Sequence, residues 1–136
     1  MKLIFTLLLI FLTIQLFAPE AKNIFIEKSD KIKYDPILFA FEKVESNFNT
    51  SIINRLGYSG LLQIGPEMIK DVNRICRKQR IIQSFTLTDT LDSTKSVSIW
   101  YIIQNYYNRS YSVKIACKVW NPTASKKYYQ KIKKEL

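Results

Sequence analysis

All three glycines of this 136-residue chain fall inside LGYSGLLQIGP, positions 56–66. Elsewhere the backbone must follow paths open to L side chains, so the one segment free to turn sharply lies here. The apolar residues on either side recur at helical intervals. Asp35-Pro36 supplies an N-cap and a first helical residue with a preset φ. Ile37, Phe41, Val44 and Phe48 then follow at spacings of four, three and four, which predicts a helix ending near Asn49. Pro66 and Glu67 open a second helix, with Ile69, Val72 and Ile75 or Cys76 facing inward. Residues 78–91, containing IIQSFTLTDTL, read as β-like or irregular. Asp92 or Ser93 caps a third helix, in which Val97, Trp100, Tyr101 and Gln104 share one side. Residues 112–120 form a fourth, burying Val113, Ala116 and Val119 or Trp120, and Pro122 stops it. The basic tail KKYYQKIKKEL makes a last helix. The expected fold is a small, mainly α domain with a short irregular or hairpin-forming insertion around residues 50–65.

The chain begins MKLIFTLLLIFLTIQLFAPEA. Lys2, an uncharged apolar run over 3–17 and the small residues Ala18 and Ala21 have the layout of a secretory signal. The run is short of the roughly twenty residues of a membrane-spanning helix, so residues 1–21 are expected to be a cleaved signal peptide, with an uncleaved anchor as the alternative. Residues 22–136 then form one domain, exported to the periplasm or cell envelope and monomeric. The net charge is +10 and there is no histidine. Lacking His, the chain has neither the commonest general base nor the commonest zinc ligand, so Ser-His and Cys-His chemistry and most zinc sites drop out; no metal and no cofactor are expected. Acid–base work must rest on carboxylates, Lys, Tyr or Cys. The positive charge points to an anionic partner such as cell wall or membrane headgroups; export argues against nucleic acid, and the membrane is expected to be reached only through the signal or anchor segment. Cys76 and Cys117 either bridge, which would stabilise by roughly 4 kcal/mol in the chain-entropy model, or pack as small hydrophobes on apolar helical faces.

On the first helix Glu45 lies at the border of the Ile37-Phe41-Val44-Phe48 stripe. A carboxyl half-removed from water has a raised pKa, as a general acid near neutral pH requires. Glu42 lies farther toward the polar side and has no comparable case. Glu45-Ser46-x-Phe48 followed by Gly57, Gly60, Leu61, Gln63, Ile64 and Pro66 resembles the soluble lytic transglycosylase family of the lysozyme superfamily, in which a catalytic Glu-Ser precedes Gly-x-x-Gly-Leu-x-Gln-Ile-x-Pro by ten to fifteen residues. The resemblance runs from about Asp35 to Asn121 and implies an α+β lysozyme-like fold.

It also implies cleavage of the β-1,4 bond between N-acetylmuramic acid and N-acetylglucosamine in peptidoglycan glycan strands. Glu45 would protonate the glycosidic oxygen, then take the proton of the muramoyl C6 hydroxyl as a 1,6-anhydro ring closes. No protein nucleophile is needed, whereas hydrolytic glycosidases want a second carboxylate; of Glu67, Asp71, Asp89 and Asp92, none sits in a motif that recommends it. By the same resemblance Gln63 would line the cleft and hydrogen-bond the saccharide, the Leu61-Leu62 backbone would flank it, Asn121 approaches it or Glu45, and Trp120 stands at a family aromatic position, either against the sugar or in the core. Ser46 would support Glu45 by a hydrogen bond, and Gly57 and Gly60 would permit the tight path bringing Gln63 to the sugar, while Gly65 falls outside the motif. Pro122 follows Asn121 where the family carries glycine. That departure motivates an alternative: a catalytically degenerate domain that binds peptidoglycan or docks in an envelope assembly.

Overall fold

A computed structural model describes residues 35–136; the expected signal or anchor and the lead up to residue 34 lie outside the described residues. Among the described residues five α-helices and one 3₁₀ turn follow in order: α1 (Pro36–Ser46), α2 (Pro66–Gln79), the 3₁₀ turn (Leu87–Leu91), α3 (Ser93–Tyr107), α4 (Val113–Trp120) and α5 (Lys126–Lys134). The fold is mainly α. No strand is formed among the described residues: the insertion holds only isolated antiparallel bridges, Ile53 with Ser59 and Ser59 with Ile64. An isolated pair of extended segments is marginal without a third strand or an apolar face to cover it, and here the exposed Ile52, Ile53 and Leu56 receive no such cover.

The helix starts follow from local chemistry. The Asp35 carboxylate accepts from the Ile37 and Leu38 amides at 3.0 and 3.1 Å, and Asp92 accepts from the Lys95 amide at 3.0 Å. α1 stops at Ser46, three residues before the expected end. Asn47 and Phe48 turn left-handed, and their amides donate back to the carbonyls of Lys43 and Glu42 at 3.0 and 3.2 Å. Phe48 therefore leaves the stripe and lies exposed, its ring 4.9 Å from that of Phe39.

The core forms where α1, α3, α4 and α5 meet. Phe41 lies 4.5 Å from Trp100 and 6.5 Å from Trp120 between ring centres, and the two tryptophans are 4.8 Å apart. α2 lays Ile69, Val72, Ile75 and Cys76 against α3, with every one of the four buried. The α3–α4 turn is clamped by a buried amide. The Asn108 side-chain amide donates to Gln104 Oε1 and to the Ser112 carbonyl, and its oxygen accepts from the Ser112 amide, all at 2.9–3.0 Å.

Cys76 and Cys117 are free thiols, both buried, so the bridge is not formed. They sit on α2 and α4, each of which packs on α3, and they fill the core as small apolar groups. Burial pushes both thiols up, Cys117 to about 11 with the charge of Glu45 adding to the effect. A thiolate is the reactive species, so a maleimide should label neither cysteine in the native protein and both after unfolding, as counted by intact mass. Labelling of neither under non-reducing denaturation would demonstrate a bridge.

Candidate active site

The glycine segment is seated between the ends of two helices. Ser46, the last residue of α1, donates its hydroxyl to the Leu61 carbonyl at 2.7 Å, and Trp120, the last residue of α4, donates its indole N–H to the Leu62 carbonyl at 3.1 Å. Both bonds are buried, where leaving a carbonyl unpaired costs about 1–3 kcal/mol. Two successive carbonyls of the loop are thus held by residues far apart in the chain. Each clamp residue adjoins an expected site residue: Glu45 precedes Ser46, Gln63 follows Leu62, and Asn121 follows Trp120. The three segments bearing the expected site residues therefore converge on one locus.

The opposite side of the loop rests on the 3₁₀ turn. The Ser59 and Thr90 hydroxyls meet at 2.5 Å, Thr90 in turn donates to the Leu87 carbonyl at 2.6 Å, and Ser96 donates to the Thr90 carbonyl at 2.7 Å. Gly60 lies directly on that carbonyl. Its φ is +76°, and a Cβ there would stand 1.7 Å from the Thr90 oxygen. Gly57 has φ +81° with nothing within 4 Å. Gly65, expected to accept other residues, is packed as well: a Cβ would come within 2.6 Å of the Tyr58 ring.

Glu45 is half-buried, and burial raises its pKa above 4.5. One partner works against that rise: the Tyr128 hydroxyl donates to Glu45 Oε1 and favours the charged form. Tyr128 comes from α5, which packs on α1, and its ring stands edge-on to Phe41 at 6.2 Å. Burial and the Glu45 charge hold the phenol well above its ordinary range, so it stays a donor. Nothing local in the sequence singles out Tyr128: the tail carries no motif, and the only signal is a pair of tyrosines in a lysine-rich helix. Tyr128→Phe removes the bond that favours the carboxylate, so the Glu45 pKa should rise further. Carboxyl-carbon NMR titration of wild type and variant reads this, and a downward shift would refute the assigned hydrogen bond.

Several expected roles are revised by burial. The backbone of Leu61 and Leu62, expected to flank the saccharide, has both carbonyls engaged by Ser46 and Trp120, and both side chains lie in the core. Trp120 is 7% exposed and packed among the core aromatics at tilted and edge-on angles, which removes the sugar-stacking role and leaves it anchoring the loop. Ser46 bonds the Leu61 carbonyl rather than the Glu45 carboxyl. Gln63 is half-exposed at φ +49°; its amide nitrogen donates to the Gly60 carbonyl at 3.0 Å and its oxygen accepts from Asn54 at 3.3 Å, so it braces its own loop. Asn121 is half-buried at the end of α4 and accepts from the Thr123 hydroxyl at 3.1 Å. Pro122 is exposed in the following turn, closed by Ala124 N–H to the Asn121 carbonyl at 2.9 Å.

Glu42, set aside as the polar-side control, is half-buried too. Desolvation and then the Asp35 charge raise its pKa, and its own charge reaches the Tyr101 phenol. The four carboxylates considered as partners for Glu45 are engaged elsewhere: Glu67 with Lys70 at 2.7 Å, Asp71 with Arg74 at 2.7 Å, Asp89 with Lys95 at 2.5 Å, and Asp92 at the α3 cap. The Lys95 and Thr86 contacts hold Asp89 down at about 2. Among the described residues no group of three His, Cys, Asp or Glu side chains is arranged to hold a metal ion, and no helix is long and apolar enough to cross a membrane. No protein-family model, curated protein or solved structure matches this chain.

Proposed function

We propose that this protein is a peptidoglycan lytic transglycosylase with a lysozyme-like fold, acting in the cell envelope, in which Glu45 serves first as acid and then as base. The observation that carries the reading is a half-buried carboxyl with a raised pKa at the point where the ends of α1 and α4 clamp the glycine segment. A protonated carboxyl there can give its proton to a glycosidic oxygen, which breaks the bond to the muramoyl C1 and leaves Glu45 as a carboxylate. That carboxylate then takes the C6 hydroxyl proton as O6 closes on C1, and Glu45 ends protonated as it began. The Tyr128 hydroxyl donates to Glu45 Oε1 and steadies the charged half of the cycle. With Glu67, Asp71, Asp89 and Asp92 engaged elsewhere, ring closure by the substrate's own hydroxyl needs no second carboxylate, unlike hydrolysis.

A second reading, a domain that binds peptidoglycan or docks in an envelope assembly without cleaving glycan, is favoured by one observation: Pro122, with a fixed φ and no N–H, occupies the turn after Asn121 where the family carries glycine. Mass spectrometry of sacculi after incubation with the protein separates the two. Products ending in 1,6-anhydro-muramoyl groups are expected; hydrolysed ends would overturn the transglycosylase reading, and bound but uncut sacculi would favour the second.

A further inference from the structure

The acidic residues of this chain are confined to positions up to Asp92 and to the penultimate residue, Glu135. Between Asp92 and Glu135 there is no Asp or Glu, while nine Lys and Arg residues occupy the same span. Within that cationic part a groove of about 200 Å³ opens at the corner of α4 and α5, lined by Lys114, Lys118 and Lys126 together with Cys117, Ala124 and Tyr129. The ion pairs among the described residues are Glu67–Lys70, Asp71–Arg74 and Asp89–Lys95, so none of the three groove lysines has its charge answered there. A cationic rim over a partly apolar lining suits a small aliphatic unit ending in a carboxylate: the ammonium groups meet the charge and the ring, methyl and lysine methylenes meet the carbon. The groove also adjoins the candidate site. Cys117 lines it and feels the Glu45 charge, and the turn of α5 that brings Tyr128 to Glu45 brings Tyr129 and Lys126 to the groove.

We infer that this groove binds the carboxylates of the short peptides carried by the glycan strand, so that the protein prefers peptide-bearing strands to bare ones. The inference rests on the function proposed above and deepens it by naming the part of the substrate read outside the cleavage site. The test uses full-length protein carrying Glu45→Gln, to hold binding apart from cleavage, and three probes: peptide-bearing strands, strands stripped of peptide by amidase, and peptide-bearing strands whose carboxyls have been converted to amides. The ratio of affinity for the first over the second is the readout. In Lys114→Gln/Lys118→Gln/Lys126→Gln that ratio should fall on the order of tenfold, and amidation of the strand should produce a comparable fall. Lys131→Gln/Lys133→Gln/Lys134→Gln removes the same charge from α5 outside the groove and should leave the ratio within about twofold. An equal fall in both triple variants would overturn the groove in favour of diffuse charge, and a preference that survives amidation would overturn the carboxylate. Anhydro products from wild-type protein with no preference between strands would sink this inference alone. A preference with no cleavage by wild-type protein would sink the transglycosylase reading alone.

Discussion

Glu45→Gln should abolish release of anhydro-muropeptides while the fold persists. A positioned proton donor and acceptor accounts for about 10²–10⁴-fold in rate, and here one residue fills both roles, so the loss should reach at least the upper end. Gln keeps the shape and can still accept from Tyr128, so the Glu45–Tyr128 contact has an uncharged equivalent. The stability effect carries its own sign. The folded-state pKa of Glu45 is raised above 4.5 by burial, so the folded protein holds this proton more tightly than the unfolded chain. Its contribution to stability is complete below 4.5 and is lost as pH rises through the folded value. As the pH rises above 4.5 the unfolded chain gives up this proton more readily than the folded protein, a loss of stability that the variant, with no proton to release, does not suffer. Glu45→Gln should melt higher than wild type at pH 7, and the gap should close as the pH drops below 4.5. Thermal melts across that range, run beside product analysis, check both halves. Wild-type rates of anhydro release in the variant would end the assignment of Glu45 as the acid.

Gly60→Ala should cause the largest loss of stability of any single methyl added to this loop. The new Cβ would stand 1.7 Å from the Thr90 carbonyl oxygen and 2.7 Å from its carbon, at a φ of +76°. Backbone on both sides is fixed: Gly60 N–H donates to the Ile52 carbonyl at 2.9 Å, and the Thr90 carbonyl accepts from Ser96 at 2.7 Å. Neither can yield without breaking a hydrogen bond, so the cost should exceed about 3 kcal/mol, or more than roughly 12 °C in Tm for a domain of this size. Gly57→Ala is the internal comparison. Its φ is +81° but nothing lies within 4 Å, so only the left-handed strain of about 1–2 kcal/mol applies. Equal melting temperatures for the two variants would mean that the loop does not rest on the 3₁₀ turn.

The helices were legible because each advertises a period and a start. Ile69, Val72, Ile75 and Cys76 repeat at helical intervals and are all buried; Asp35-Pro36 and Asp92 announce caps that form as bonds. Helix ends were less so. Phe48 fits the α1 stripe by count, yet two left-handed residues end the helix first, and no residue type near Asn47 forces that choice. Glu42 and Glu45 show the same limit in the site: helical phase ranks them differently, but burial of a carboxyl is decided by what packs over it. Glu42 is desolvated beside the charge of Asp35, and Glu45 is met by Tyr128 of α5.

From the order of residues alone come the mainly helical class and the position of the glycine break after the first helix, since propensity, capping and periodicity act over a few neighbours. Tertiary structure alone decided that Ser46 and Trp120 hold the loop instead of serving the sugar, that Gly60 is the glycine with no substitute, and that the basic tail delivers Tyr128 to Glu45. Each of these depends on a contact between residues 15 to 83 positions apart, a separation at which local pattern carries no information and packing makes the choice.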